Sequence, residues 1–329
     1  MIDYRCFRND DPPRLAEIWR TADLGPGAMQ PMTVAHLEAG VFSKPYFDRE
    51  GLILAFDGEQ AVGFAHAAFA PSADRGSIDT ATGTTLLAVV VPHDREDEIA
   101  AGLIARCEDY LRRRGARTIL GGGSAEMTGF YLGLYGGADI PGILDSSACM
   151  QQAFRAAGYE VADRIAILRR PLSGFRPPVN RLQLAIRRAT TLRVIDEPSR
   201  RTWWEAATTT GIALRRYELR ANQEGPDGMA PLLGSATLWD MQPLAAAWGV
   251  PAAGLMNVAI EGPRRRQGLA SYLVAEAMHD LAAEGVTLME TQVSEANAPA
   301  LKLFGKLGFQ VADHGTVFRK ASGTAAQQA

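Results

Sequence analysis

The sequence predicts an α/β protein built from a duplicated unit. Strand-like and helix-like stretches follow one another in the same order in both halves, and glycines close the helices at matching places. Between the halves, Arg169-Arg170-Pro171-Leu172-Ser173-Gly174-Phe175-Arg176-Pro177-Pro178 carries three prolines and no period. That composition, followed by Arg181, Arg187 and Arg188, suits a solvated connector on the surface.

The first half opens with strands at Gly51–Phe56 and Ala61–Ala68, then Thr84–Val91. A helix follows with Ile99, Leu103, Cys107 and Leu111 on one stripe, ending at Gly115. Arg117–Leu120 begins the next strand, and a helix from near Ser147 closes at Gly158-Tyr159. The second half repeats this order with strands at Gly211–Leu219, Leu232–Trp239 and Gly254–Ile260. Its long helix, from about Gln267 to Glu284, aligns Leu269, Leu273, Ala277 and Leu281, with Val274 and Met278 beside them. Gly285 stops it, and Val286–Val293 is again a strand. Asn297 caps a short helix with Pro299 in its first turn, Gly308-Phe309 closes that helix, and a last strand runs through Val317–Arg319. The expected division is therefore 1–170 for the first domain, 171–190 for the connector, 191–320 for the second domain and 321–329 for a flexible tail.

Composition narrows the class. The chain has 329 residues, 47% of them apolar, and a formal net charge of −3. That excludes a disordered chain and a nucleic-acid binder held by bulk charge. No apolar run approaches the roughly 20 residues of a membrane span. The start, Met1-Ile2-Asp3-Tyr4-Arg5, is unlike a signal peptide. Three separated cysteines, Cys6, Cys107 and Cys149, make no disulfide framework, and the five histidines form no ligand-spaced pair. A cytoplasmic protein with neither metal nor membrane is expected.

Chemistry concentrates at Arg264-Arg265-Arg266-Gln267-Gly268-Leu269-Ala270, between a strand and a helix. Backbone N–H groups at a helix start, flanked by guanidinium groups, form a site for a pyrophosphate. Gly268 lets the backbone approach the anion, and the small Ala270 keeps the next turn clear. Residues Arg265 to Ala270 fit the [Gln/Arg]-x-x-Gly-x-[Gly/Ala] signature. Asn297-Ala298-Pro299-Ala300-Leu301-Lys302-Leu303-Phe304-Gly305-Lys306-Leu307-Gly308-Phe309 resembles a second block, Asn…Leu-Tyr-x-Lys-x-Gly-Phe. Together they resemble the GNAT superfamily of acyl-CoA-dependent N-acyltransferases over Thr191–Lys320. The first half resembles the same fold more loosely over Ile2–Pro171. It does so through Val90-Val91-Pro92-His93-Asp94-Arg95, the helix after it, and Phe154-Arg155-Ala156-Ala157-Gly158-Tyr159. The resemblance implies two tandem units, each a mixed central sheet flanked by helices. The arrangement is similar to that of mycothiol synthase in architecture only.

The same resemblance implies acetyl-CoA, or another acyl-CoA, as cosubstrate. It would be held by Val258, Ala259, Ile260, Arg264, Arg265, Arg266, Gln267, Gly268, Leu269, Ala270, Ser271, Asn297, Ala300 and Phe304. An amine would attack the thioester directly, which requires a nearby base. Glu261 and Glu290 are the candidate carboxylates, each with a surface or salt-bridged role as its alternative. Gln292 lies on the same strand face as Glu290, where it either orients a substrate or fills a polar edge. Where many relatives have a tyrosine that protonates the departing thiolate, this chain has Phe304, and Phe154 in the first copy. Solvent protonation remains feasible because a thiol titrates near 8.5, and Ser294 and Tyr272 stay open as donors.

The first loop differs. Arg95-Glu96-Asp97-Glu98-Ile99-Ala100 places Glu98 where the second copy has Gly268, with Asp94, Glu96 and Asp97 around the same turn. Such a turn caps itself and repels a pyrophosphate, so one cofactor site is expected, in the second half. The step from Arg95 to Gly158 is 63 residues, against 43 from Arg265 to Gly308. The extra stretch, Gly121 to Leu144, is rich in glycine and aromatics and forms either a binding lip or a packed surface loop. Acceptor-side loops are expected at Ala221–Pro231, which includes Pro226 and Asp227, and at Trp239–Pro251. Trp203, Trp204, Trp239 and Trp248 on that side suit core or interface packing. The expected activity is N-acetyl transfer to an amine, a small molecule rather than a protein, by a monomer or homodimer. The alternative is a non-catalytic acyl-CoA-binding or regulatory module.

Overall fold

In the computed structural model, which describes residues 1–124, 129–225 and 228–321, the apolar alternation becomes one mixed sheet of thirteen strands. The first half runs β1 (Ile2–Cys6), α1 (Pro12–Thr21), α2 (Val34–Leu37), β2 (Leu52–Asp57), β3 (Gln60–Pro71) and β4 (Ile78–Val90). It continues with α3 (Glu96–Arg113), β5 (Thr118–Gly121), β6 (Ile143–Leu144), α4 (Ala148–Ala156) and β7 (Tyr159–Pro171). The second half runs α5 (Arg181–Ala189), β8 (Thr190–Asp196), α6 (Trp203–Thr208), β9 (Leu214–Ala221), β10 (Leu232–Asp240) and α7 (Gln242–Trp248). Then come β11 (Ala252–Ile260), α8 (Leu269–Ala283), β12 (Leu288–Ser294), α9 (Ala298–Lys306) and β13 (Gln310–Lys320). Residues 125–128 of the extra stretch, Pro226 and Asp227, and the tail from residue 322 lie outside the described residues.

The duplication is visible in the pairing. β4 runs parallel to β5 from Thr82 opposite Thr118 to Thr85 opposite Gly121. β11 runs parallel to β12 from Ala252 opposite Leu288 to Leu255 opposite Thr291. Immediately afterwards each long strand carries one extra residue against its antiparallel neighbour, Leu86 against β3 and Met256 against β10. Such bulges bend a strand away from its partner. In each half the two parallel strands therefore part after four residues.

The helices bury the stripes read from the sequence. Ile99, Leu103, Cys107 and Leu111 of α3 are buried, as are Leu269, Leu273, Ala277 and Leu281 of α8. No helix among the described residues is long and apolar enough to cross a membrane.

The last strand of each half is exchanged. Strand order around the middle of the sheet is β5-β13-β7-β12. The second half's β13 thus lies between β5 and β7, and the first half's β7 pairs with β12 from Leu288 opposite Pro171 to Ser294 opposite Ile165. Both cores consequently mix the halves. Ala166 and Leu168 of β7 pack under α8 and α9, while Trp239, Met241, Leu244 and Ala252 pack with the first half.

Within the stretch read as aperiodic, Arg169, Arg170 and Pro171 end β7, and only Leu172–Asn180 is irregular. Asn180 caps α5 by accepting from the Gln183 N–H at 3.0 Å, and Ile186 anchors the helix in the second core. One buried isoleucine on a nine-residue helix is too little periodicity to read from sequence.

Candidate active site

Past Leu255 and Thr291, β11 keeps β10 as a neighbour and β12 keeps β7, so a wedge opens between them. Val258 and Ile260 turn towards the core under α8, while Asn257 and Ala259 are exposed on the opposite face. The strand ends at Glu261, whose N–H donates to the Leu233 carbonyl at 3.0 Å. The loop then folds on its own backbone. Arg265 Nε donates to the Ile260 carbonyl at 3.2 Å, and Gln267 Nε2 donates to that of Pro263 at 3.3 Å. Arg266 and Gly268 take left-handed φ values of 62° and 81°. α8 starts without a side-chain cap, so its first N–H groups are free for an anion. Arg264, Arg265 and Arg266 are exposed and have no ion-pair partner among the described residues. These residues fit a pyrophosphate.

One detail departs from expectation. The space beside Gly268 is taken by Leu182 of α5, 2.8 Å from where a Cβ would stand. The glycine is needed for its backbone angle and for this helix contact. A cavity of about 750 Å³ lies against the loop, lined by Arg264, Arg266 and Gln267 and by Leu182, Ala185 and Arg188 of α5. On the far side of the wedge, the Asn297 side chain accepts from the Ala300 N–H at 3.2 Å, which makes it the cap of α9. Phe304 is buried edge-on against Phe309, 5.2 Å between centroids. Ser271 and Ala300 are half-buried. Of the two open proton donors, Tyr272 is buried in the core and Ser294 donates to Asp163 at 2.9 Å.

The two candidate carboxylates are far apart. Glu290 sits opposite Gly254 in the closed part of the wedge, and Glu261 lies seven residues further along β11, roughly 20 Å away at strand spacing. Glu290 is fully buried. One oxygen accepts from Arg169 Nε at 2.7 Å and the other from the Ala138 N–H at 2.7 Å. Burial pushes its carboxyl up, against the downward pull of Arg169 and Ala138. Arg169 in turn lies over the Trp248 ring at 4.1 Å. Placed this way, Glu290 ties β12 to β7 and to the extra stretch, with no face towards the opening. Glu261 is exposed at the mouth.

The described part of the extra stretch is no surface loop. From Gly133 to Leu144 it crosses beneath the sheet from β10 through β11, β12 and β7 to β13, on the face away from α8. Gly133 packs on Trp239, whose Nε1 donates to the Ala138 carbonyl at 2.9 Å, and Ala138 lies under Gly254. Gln292 Nε2 donates to the carbonyls of Gly136 and Asp139, both at 2.8 Å. Pro141 then abuts Gly315, and β6 pairs with β13. This brings the Asp139 main chain against the side chain of Gln292, the first β12 residue past the last parallel pair. The four tryptophans also join the halves. Trp203 and Trp204 meet Tyr46, Trp239 meets Ala138, and Trp248 Nε1 donates to the Pro26 carbonyl at 3.0 Å. No sequence signal marked Asp139, which lies in a glycine-rich stretch without a motif.

Residues 193–309 match the acetyltransferase (GNAT) family. Solved structures resemble nearly the full length of the chain. A GCN5-related glucosamine N-acetyltransferase region of a fungal multi-domain GH3 β-N-acetylglucosaminidase matches at TM-score 0.65 and 16% identity, covering 97% of this chain, which spans 38% of that one. A tandem GNAT protein from the clavulanic acid biosynthesis pathway matches at TM-score 0.61 and 15% identity, over 97% of this chain and 98% of its own. The chain has the tandem GNAT fold. A GCN5-related N-acetyltransferase from Sphaerobacter thermophilus shares it at TM-score 0.60 and 15% identity, over 97% and 95% of the two chains. No curated protein matches the sequence.

The two GNAT units differ at their loops. In the first, Arg95 donates to both Glu98 oxygens, at 2.8 and 2.7 Å. The arginine holds that carboxyl below its usual range, and the pair leaves no net charge for an anion. Helices α3 and α4 pack directly on each other, whereas α8 and α9 make less contact. Phe154 fills the end of β5, within 2.6 Å of where a Cβ on Gly121 would be, and stacks on Phe318 at 5.6 Å. In this chain Phe154 fills the first wedge, and the second has an uncapped helix start beside arginines with no ion-pair partner among the described residues.

Proposed function

We propose that the chain is an N-acetyltransferase that moves an acetyl group from acetyl-CoA to a small-molecule amine, using the second GNAT unit. The observation that carries this is the contrast between the loops. Arg264–Ala270 offers an uncapped helix start and three guanidinium groups with no ion-pair partner among the described residues, whereas Arg95 is neutralised by Glu98. On this reading Arg264, Arg265, Arg266 and the N–H groups of Gln267 to Ser271 hold the pyrophosphate. Asn297, Ala300 and Phe304 border the pantetheine, and the backbone of Val258–Ile260 meets the thioester. Acetyl-CoA supplies the activated acyl group. Phe304 cannot donate a proton, so the leaving thiolate takes one from solvent.

The test is titration calorimetry with acetyl-CoA together with thiol release in the presence of amines. The expected result is one site with an affinity on the order of micromolar, about −8 kcal/mol, and thiol release with at least one amine. Gly268→Glu should abolish binding, because any side chain is strained at φ 81° and runs into Leu182. Arg265→Ala should weaken it about tenfold. Two sites would overturn the assignment to one unit. Binding without thiol release would leave a non-catalytic module.

A further inference from the structure

We propose that Asp139, carried by the first GNAT unit, is the base that takes the proton from the acceptor amine in the wedge of the second. This rests on the N-acetyltransferase reading above and makes the catalytic site a composite of both halves.

Position is the first argument. The parallel pairing between β11 and β12 ends at Leu255 and Thr291, and the next β12 residue, Gln292, holds Asp139 by its main-chain carbonyl at 2.8 Å. An amine approaching the start of the wedge from the face away from α8 therefore arrives beside Asp139. On that face Asn257 and Ala259 are exposed, leaving room for an acceptor. The position is also rigid. Ala138 on one side is bonded to Glu290 and Trp239, and Pro141 on the other abuts Gly315.

Availability is the second argument. Asp139 Oδ1 accepts from the Ile140 N–H at 2.8 Å, and Oδ2 has no hydrogen-bond partner among the described residues. The residue lies deep among protein atoms yet keeps part of its surface open. Its surroundings push its carboxyl up to about 6, through burial alone and against the Ile140 hydrogen bond. Charged groups on the neighbouring elements have partners of their own. Glu290 of β12 is held by Arg169 of β7, Asp145 by Arg164 of β7, and Asp313 of β13 accepts from Ser146. His314 of β13 faces Glu295. By contrast Glu290 has both oxygens engaged, and Glu261 stands at the far, exposed end of the strand.

An acceptor ammonium gives one proton to Asp139 Oδ2 and becomes a free amine. Its lone pair forms the new C–N bond at the thioester carbon, and the C–S bond breaks with its electron pair on sulfur. The second nitrogen proton leaves through solvent and the thiolate is protonated, giving amide and CoA thiol. Protonated Asp139 then releases its proton to solvent. A base of this strength removes protons efficiently near neutral pH.

Asp139→Asn keeps the shape and removes the base. The assay is thiol release from acetyl-CoA with a panel of primary amines (D-glucosamine, L-lysine, spermidine, benzylamine) between pH 5 and 9. In the wild type kcat should rise through an inflection near pH 6. In the variant kcat at pH 7 should fall about 100-fold or more, and the inflection should move to the pKa of the amine itself. Acetyl-CoA affinity by calorimetry should not change. A second readout does not need turnover: a carboxyl carbon resonance titrating near pH 6 in wild-type protein should be missing from the variant. An unchanged rate and inflection in Asp139→Asn would overturn the assignment. Loss of the inflection in Glu261→Gln instead would overturn it in favour of Glu261. Acetyl-CoA binding with no thiol release from any amine by the wild type would remove the acetyltransferase reading and this inference with it.

Discussion

Asp139 is ionised at pH 7 in surroundings that favour its neutral form, and that has a consequence for stability. In an unfolded chain an aspartate titrates near 3.9, whereas burial holds Asp139 at about 6 in the folded protein. Between those values the folded state binds a proton that the unfolded state has lost. Stability therefore falls as pH rises from about 4 to about 6, by up to about 3 kcal/mol for two pKa units, and stays reduced above. Asparagine cannot ionise. Asp139→Asn should melt a few degrees higher than wild type at pH 7.5, and the two should converge at pH 4. Thermal melts at both pH values measure this, and a variant no more stable at pH 7.5 would show that the carboxylate is well solvated. Other residues at this scale were readable because their roles are local. The Asn297 cap, the Gly268 turn and the Arg95–Glu98 self-pairing each involve groups within a few positions. Asp139 and Glu290 act through partners more than a hundred positions away, and no local pattern encodes such a partner.

At the scale of elements, the sequence shows its helices where apolar stripes are long, as in α3 and α8, and its strands where glycines and prolines punctuate them. It conceals α5, which buries one isoleucine, and it leaves open whether the Gly121–Leu144 stretch is a lip or a packed loop. The structure makes its part from Gly133 to Leu144 a strap across five strands, and its glycines are part of the fit. Gly137 has a left-handed φ of 103°, and an added Cβ would run into the Glu290 carboxylate. Gly137→Ala should therefore both strain the backbone and displace the junction, at a cost of about 1–3 kcal/mol. Because the strap carries Asp139 and lies away from the Arg264–Ala270 loop, kcat should drop with acetyl-CoA affinity retained. Calorimetry and steady-state rates on the same preparation separate the two. Loss of cofactor affinity alongside kcat would instead mean that the strap shapes the cofactor side.

The duplication itself is legible across the whole molecule, since it is written in the order of elements. The exchange of final strands is not, because β7 and β13 have similar alternation and the sequence does not state which neighbour each chooses. With β13 between β5 and β7, and β7 against β12, neither half keeps a complete sheet if the other opens. Unfolding should then be a single cooperative transition in spite of the chain's two-unit ancestry. The tryptophans offer a probe for each part. Trp19 lies wholly in the first core, while Trp203, Trp204, Trp239 and Trp248 sit where the halves meet. Fluorescence and far-ultraviolet circular dichroism should report the same denaturant midpoint, and the calorimetric and van't Hoff enthalpies should agree. A first-half substitution sharpens the test. Phe154→Ala removes a fully buried ring that stacks on Phe318 of β13, at a cost of about 3–5 kcal/mol. It should lower the midpoint seen by every probe by the same amount, with acetyl-CoA affinity in the native protein unchanged. A second transition that keeps its wild-type midpoint would show that the second unit holds together without the first.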